Sequence, residues 1–211
     1  MKVKICGITD LYTALKAESF GADAIGFVFA KSKRQITPEA AGEISAQLSP
    51  QIEKVGVFVN ETKERIEEIV SQAKLTMVQL HGDESPDFCL TLSVPVIKAL
   101  SIGSKEDLIR EKQYHCEFIL LDSPKGKYHG GTGVPFNWGI LQDTLFTKKK
   151  IILAGGLNLD NVTQAITQVK PYMLDVSSGV ESEGKKDINK IKVFIEKTKS
   201  VVLLNEKEKN K

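Results

Sequence analysis

The chain has 211 residues, 41% hydrophobic and 27% charged, with 29 Lys and Arg against 27 Asp and Glu and a formal charge of +2. That is the size and balance of one ordinary soluble domain with a substantial core, and no basic stripe interleaved with aromatics argues for a nucleic-acid partner. Three widely separated cysteines, no apolar stretch of membrane length and an N-terminus that enters a strand at once argue against a disulfide framework or a membrane span, and predict a cytoplasmic protein.

Short apolar, often β-branched runs recur along the chain: "KVKIC" (2–6), "DAIGFVF" (23–29), "KVGVFV" (54–59), "MVQLH" (77–81), "VIKAL" (96–100), "FILLD" (118–122), "IILAG" (151–155) and "MLDVS" (173–177). Several are apolar at nearly every position, as strands covered on both faces are. Helix-like stretches lie between them. Thr37-Pro38 reads as a cap and first helical position. Thr62 caps "TKERIEEIVSQAK", which places Ile66, Ile69, Val70 and Ala73 on one face, and "DINKIKVFIEKTK" does the same with Ile188, Ile191 and Ile195.

Eight strand candidates, each followed by a helix candidate, require a parallel sheet. The expected fold is α/β, a single (β/α)8 TIM barrel over 1–200, with 201–211 as a polar, frayed tail. An open doubly wound sheet is the competing architecture, but it usually carries a Gly-rich dinucleotide loop after strand one, and "CGITDL" is not one. The longest irregular stretch, "SPKGKYHGGTGVP" at 123–135, reads as a mobile functional loop.

In such a barrel the active site gathers at the C-terminal strand ends, with phosphate held after the last two strands. Gly155 and Gly156 follow strand seven, and Ser177, Ser178 and Gly179 follow strand eight. These loops either permit tight turns or present backbone amides to a phosphate. Cys6 ends strand one and Asp122 ends strand six, so an anchored ligand would have a thiol on one flank and a carboxyl group on the other. The structural alternatives are a small buried Cys6 and an Asp122 that caps a turn. Arg34 either binds a carboxylate through its planar fork or belongs to a solvated charge run. His81 faces the same rim as a ligand contact or a hydrogen-bonded structural histidine. Cys89 and Cys116 read as packing residues. His115 and His129 lack metal-ligand spacing with the cysteines, so no metal site is expected.

Together "KICGIT", "GFVFAKSKRQI", "VQLHG", "LLDS", "GGTG", "LAGGLNLDNV" and "DVSSGVE" resemble the phosphoribosylanthranilate isomerase family, in the expected order from about residue 2 to about residue 196. The resemblance implies an isomerase of tryptophan biosynthesis. It would carry out an Amadori rearrangement of a phosphorylated small molecule, without metal or organic cofactor, as a monomer or homodimer. It implies Cys6 as general base, Asp122 as general acid, Arg34 on the anthranilate carboxylate, Asp175 on the ribose, and the two glycine loops as phosphate cradle. The sequence departs from the family pattern at "FNW" (136–138), "NLDNV" (158–162) and "VESEGKKD" (180–187), all beside these residues. A related phosphosugar barrel of histidine biosynthesis would have an aspartate at Cys6, and a silent metabolite-binding barrel would need neither Cys6 nor Asp122.

Overall fold

The computed structural model describes residues 1–124, 137–141 and 149–209, with side chains described through Val201. Positions 125–136, which hold most of the expected functional loop, lie outside the described residues.

Eight strands follow one another: β1 (Lys2–Cys6), β2 (Ala24–Val28), β3 (Glu53–Phe58), β4 (Met77–Leu80), β5 (Val96–Ser101), β6 (Phe118–Asp122), β7 (Lys150–Leu153) and β8 (Met173–Val176). Each pairs in parallel with the next, and β1 closes on β8. The closed ring rules out the open sheet. The α-helices α1 (Leu11–Ser19), α2 (Pro38–Ser45), α3 (Lys63–Gln72), α4 (Pro86–Cys89), α5 (Val162–Val169) and α6 (Ile188–Lys209) connect and surround it. The caps are local chemistry. Thr37 accepts from Ala40 N ahead of Pro38, and Thr62 accepts from Arg65 N. In α3 the apolar stripe buries Ile66 and Ile69.

The expectation of one helix per strand needs correction on one side of the ring. The segment after β5, Glu106–Gln113, is a 3-10 helix, as is Trp138–Leu141 before β7, while α4 has four residues. In Glu106–Gln113 the buried positions are Leu108 and Glu111, three apart, which suits a turn of three residues better than one of 3.6. Helix α6 runs on to Lys209, into the segment read from its composition as a tail. No helix among the described residues is long and apolar enough to cross a membrane.

Two apolar layers result. Val3, Ile5, Phe27, Phe58 and Leu80 fill the space between strands and helices, together with Ile191, Phe194 and Ile195 of α6. A smaller cluster fills the inside of the ring, including Met77, Leu120, Ile152 and Met173. Side chains alternate along a strand, so residues two positions further on face the same interior. Those residues are Gln79, Asp122 and Asp175. The interior turns from apolar to polar toward the C-terminal strand ends, and that gradient positions the site.

Candidate active site

Cys6 ends β1 opposite Gly26 of β2. A Cβ on Gly26 would stand 2.8 Å from Cys6 Sγ and 3.0 Å from both Cys6 Cα and Lys4 Cε, so the glycine makes room for the thiol and the lysine stem. The chain then turns at Gly7, with φ +79°, and the Arg34 stem lies over it: a Cβ there would meet Arg34 Cδ at 2.4 Å. Ser177 Oγ donates to the Cys6 carbonyl at 3.0 Å and ties β8 to this turn. Burial pushes the Cys6 thiol up from its usual 9.0; Lys4 and Lys186 pull it down and Asp175 adds to the rise, leaving a net increase. The thiolate that a general base requires is therefore opposed by burial, and two ammonium groups are what favour it.

Arg34 extends its fork to a carboxylate of the chain itself. Nε donates to Glu181 Oε1 at 2.5 Å and an Nη2 hydrogen to Oε2 at 3.0 Å. Glu181 lies in a hairpin of β9 (Glu181–Ser182) and β10 (Lys185–Lys186), turned by Glu183 and Gly184 at positive φ. Lys186 Nζ reaches the same carboxylate at 3.0 Å and the Ser177 carbonyl at 2.9 Å. Burial pushes the Glu181 carboxyl up, but Arg34 and Lys186 outweigh it and hold the group at about 2. Burial moves Lys186 below the usual lysine value.

Across the ring, Asp122 is bound on both oxygens. Ser123 N donates to Oδ1 at 2.8 Å, and His81 Nε2 lies 3.1 Å from Oδ2. His81 Nδ1 is 2.8 Å from Gln79 Nε2. Gln79 Oε1 accepts from Lys4 Nζ at 2.7 Å, and Lys4 Nζ also donates to Asp175 Oδ2 at 2.9 Å. Lys4 is fully buried; burial disfavours its charge, but Asp175 and Cys6 more than compensate and hold the ammonium above its usual value. Asp175 Oδ1 is buried and has no hydrogen-bond partner among the described residues. A cavity of about 300 Å³ opens beside Asp122 on the β4–β5 side, lined in part by His81, Ser101 and Arg110.

Between these flanks lie the two glycine loops. Gly155 and Gly156 both adopt positive φ, and a Cβ on Gly155 would clash with Ser123 and stand 2.8 Å from Asp122 Oδ1. Gly179 bridges to Asn158, and a Cβ on it would lie 1.8 Å from the Leu157 carbonyl oxygen. The loops after β7 and β8 are thus packed backbone against backbone. Asn158 Oδ1 accepts from Asp160 N and Asn161 N, ordering the turn into α5. Gly155, Gly156, Ser177, Ser178 and Gly179 are all half-buried along this rim.

Residues 3–197 match the family model described as N-(5'phosphoribosyl)anthranilate (PRA) isomerase. The chain belongs to this family. An N-(5'-phosphoribosyl)anthranilate isomerase of Bacillus cereus is 54% identical over 198 residues, 93% of this chain and 98% of the relative. The crystal structure of phosphoribosyl anthranilate isomerase from Thermotoga maritima is similar at a TM-score of 0.88 and 45% identity, covering 95% of this chain and 99% of that one. A solved isomerase in complex with reduced 1-(o-carboxyphenylamino)-1-deoxyribulose 5-phosphate is similar at a TM-score of 0.85 and 44% identity, over 95% and 99% of the two chains.

In this member of the family, every site residue expected from the sequence stands at the C-terminal rim or in the layer just beneath it. Sequence reasoning missed what holds them. Lys4 and Gln79 precede Cys6 and His81 by two positions, and strand alternation would have put each pair on one face. Glu181 closes the quoted "DVSSGVE", but nothing local announces that it meets Arg34.

Proposed function

We propose that Asp122 and Cys6 supply the acid and the base of an Amadori rearrangement. The chain is an isomerase of tryptophan biosynthesis that converts N-(5'-phosphoribosyl)anthranilate to 1-(2-carboxyphenylamino)-1-deoxyribulose 5-phosphate. Protonated Asp122 gives its proton to the furanose ring oxygen as the bond from C1 to that oxygen breaks, leaving an open-chain protonated imine. The Cys6 thiolate then takes the proton from C2, and the electron pair forms the C1–C2 double bond as the nitrogen becomes neutral. Loss of the O2 proton and protonation at C1 convert this enolamine to the aminoketone.

The other residues bind. The loops at Gly155–Gly156 and Ser177–Gly179 offer backbone amides to the phosphate. Asp175 Oδ1 accepts from a sugar hydroxyl, which gives the orphaned oxygen a partner. Arg34 binds the anthranilate carboxylate with the donors that Glu181 leaves over. His81 lines the cavity beside Asp122 and holds that carboxyl through Nε2 at 3.1 Å. Three free thiols and a phosphorylated substrate suit the cytoplasm.

The observation that carries this reading is the placement of Cys6 and Asp122 at the ends of β1 and β6, on either side of the β7 and β8 loops. The test is an assay on freshly generated phosphoribosylanthranilate, following loss of its fluorescence. Cys6→Ser and Asp122→Asn should each lower kcat by about a hundredfold to ten-thousandfold while the circular dichroism spectrum stays parental. Near-parental turnover of a folded variant would return that residue to packing or capping.

A further inference from the structure

The hydrogen bonds below the site have a direction, and one residue sets it. Lys4 is an ammonium with donors only, so Gln79 must turn its carbonyl oxygen toward it, at 2.7 Å. The amide nitrogen of Gln79 then faces His81 Nδ1 at 2.8 Å and donates to it. With Nδ1 accepting, the proton of the neutral imidazole sits on Nε2, and Nε2 donates to Asp122 Oδ2 at 3.1 Å. A second N–H of Lys4 donates to Asp175 Oδ2 at 2.9 Å. Lys4 and Gln79 are each no more than 1% exposed, so water cannot take the place of these partners.

We propose that Lys4 and Gln79 are positioning residues for the proton chemistry of the site: Lys4 fixes Asp175 and the Gln79 amide, and Gln79 fixes the His81 tautomer that donates to Asp122. This rests on the reading of Asp122 as the acid. A carboxyl group that has given its proton to the ring oxygen is left as a carboxylate, and an Nε2–H aimed at Oδ2 stabilises that product of the step. The reverse tautomer would present a lone pair to the same oxygen. His81 thus acts on the acid, and Lys4 reaches Asp122 through two intervening side chains without touching it.

The test reads the tautomer directly. In ¹⁵N-labelled protein, whose three histidines are distinguished by comparison with His81→Asn, the imidazole nitrogen shifts of His81 should report Nε2–H. Gln79→Glu is nearly isosteric and keeps an acceptor for Lys4, but its second oxygen accepts where the amide donated. The His81 proton should move to Nδ1, and kcat should fall about tenfold to a hundredfold with KM nearly unchanged. An Nδ1–H tautomer in the parent would overturn the proposal, as would a Gln79→Glu protein with switched tautomer and parental kcat. If instead Asp122→Asn keeps its turnover, the acid assignment falls, and the nitrogen shifts still decide the geometry on their own.

Discussion

Single residues on the Cys6 flank show how the barrel keeps charge inside without leaving it unpaired. Isolated buried charges are costly, and removing one partner of a buried pair costs more than the pair contributes. Around Arg34 and Lys186 the compensating carboxylate is Glu181, whose side chain is 6% exposed. Its carboxyl is held at about 2 against an ordinary 4.5, so the folded state binds fewer protons than the unfolded chain. The stabilisation is therefore complete above about 4.5 and is lost as the pH falls toward 2. Glu181→Gln should lower Tm at pH 6, and the gap from the parent should narrow steadily across that acid window. A gap that is constant from pH 6 to pH 3 would mean that the charge of Glu181 contributes nothing. The same variant frees the Arg34 fork, so its KM reports whether Glu181 orients that fork for substrate or competes for it.

At the level of elements, the β1–β2 register matters most to the chemistry. Pairing Cys6 with Gly26 puts the one residue without a side chain beside the thiol, and a shift by a single position would turn every side chain of the strand to the other face. A methyl at Gly26 would press on Cys6 Sγ and on β1 backbone, which cannot give way as a flexible side chain can. Gly26→Ala should therefore displace the thiol, lowering kcat more than about tenfold if Cys6 acts at a defined distance. Parental kcat in a folded Gly26→Ala protein would show that the thiol position is not critical. The loops after β7 and β8 depend on similar closeness, with Gly179 directly against Leu157. The loop tips differ in backbone conformation as well, since Gly155 and Gly156 need left-handed dihedrals and Gly179 does not.

For the whole molecule, closure of the ring at β1 and β8 is the decisive event. Helix α6 covers that seam, burying Ile191, Phe194 and Ile195 against β1, α1 and α5. Phe194→Ala should cost about 3–5 kcal/mol, or roughly 2–4 °C in Tm for each kcal/mol in a chain of this size. Well below Tm its kcat should stay parental, because no site residue lies on α6. A loss of kcat without loss of Tm would instead tie α6 to the site. The sequence by itself determined the strands, to within one or two residues, because runs apolar at nearly every position need only local reading. It also determined that Cys6 and Asp122 end strands, and that Thr37 and Thr62 begin helices through hydroxyls reaching amides three residues away. Only the tertiary structure decided the partners. Lys4 meets Gln79 across 75 positions and Arg34 meets Glu181 across 147. Such pairs are set by strand order, register and ring closure, and no local pattern encodes which donor will face which acceptor inside the closed ring.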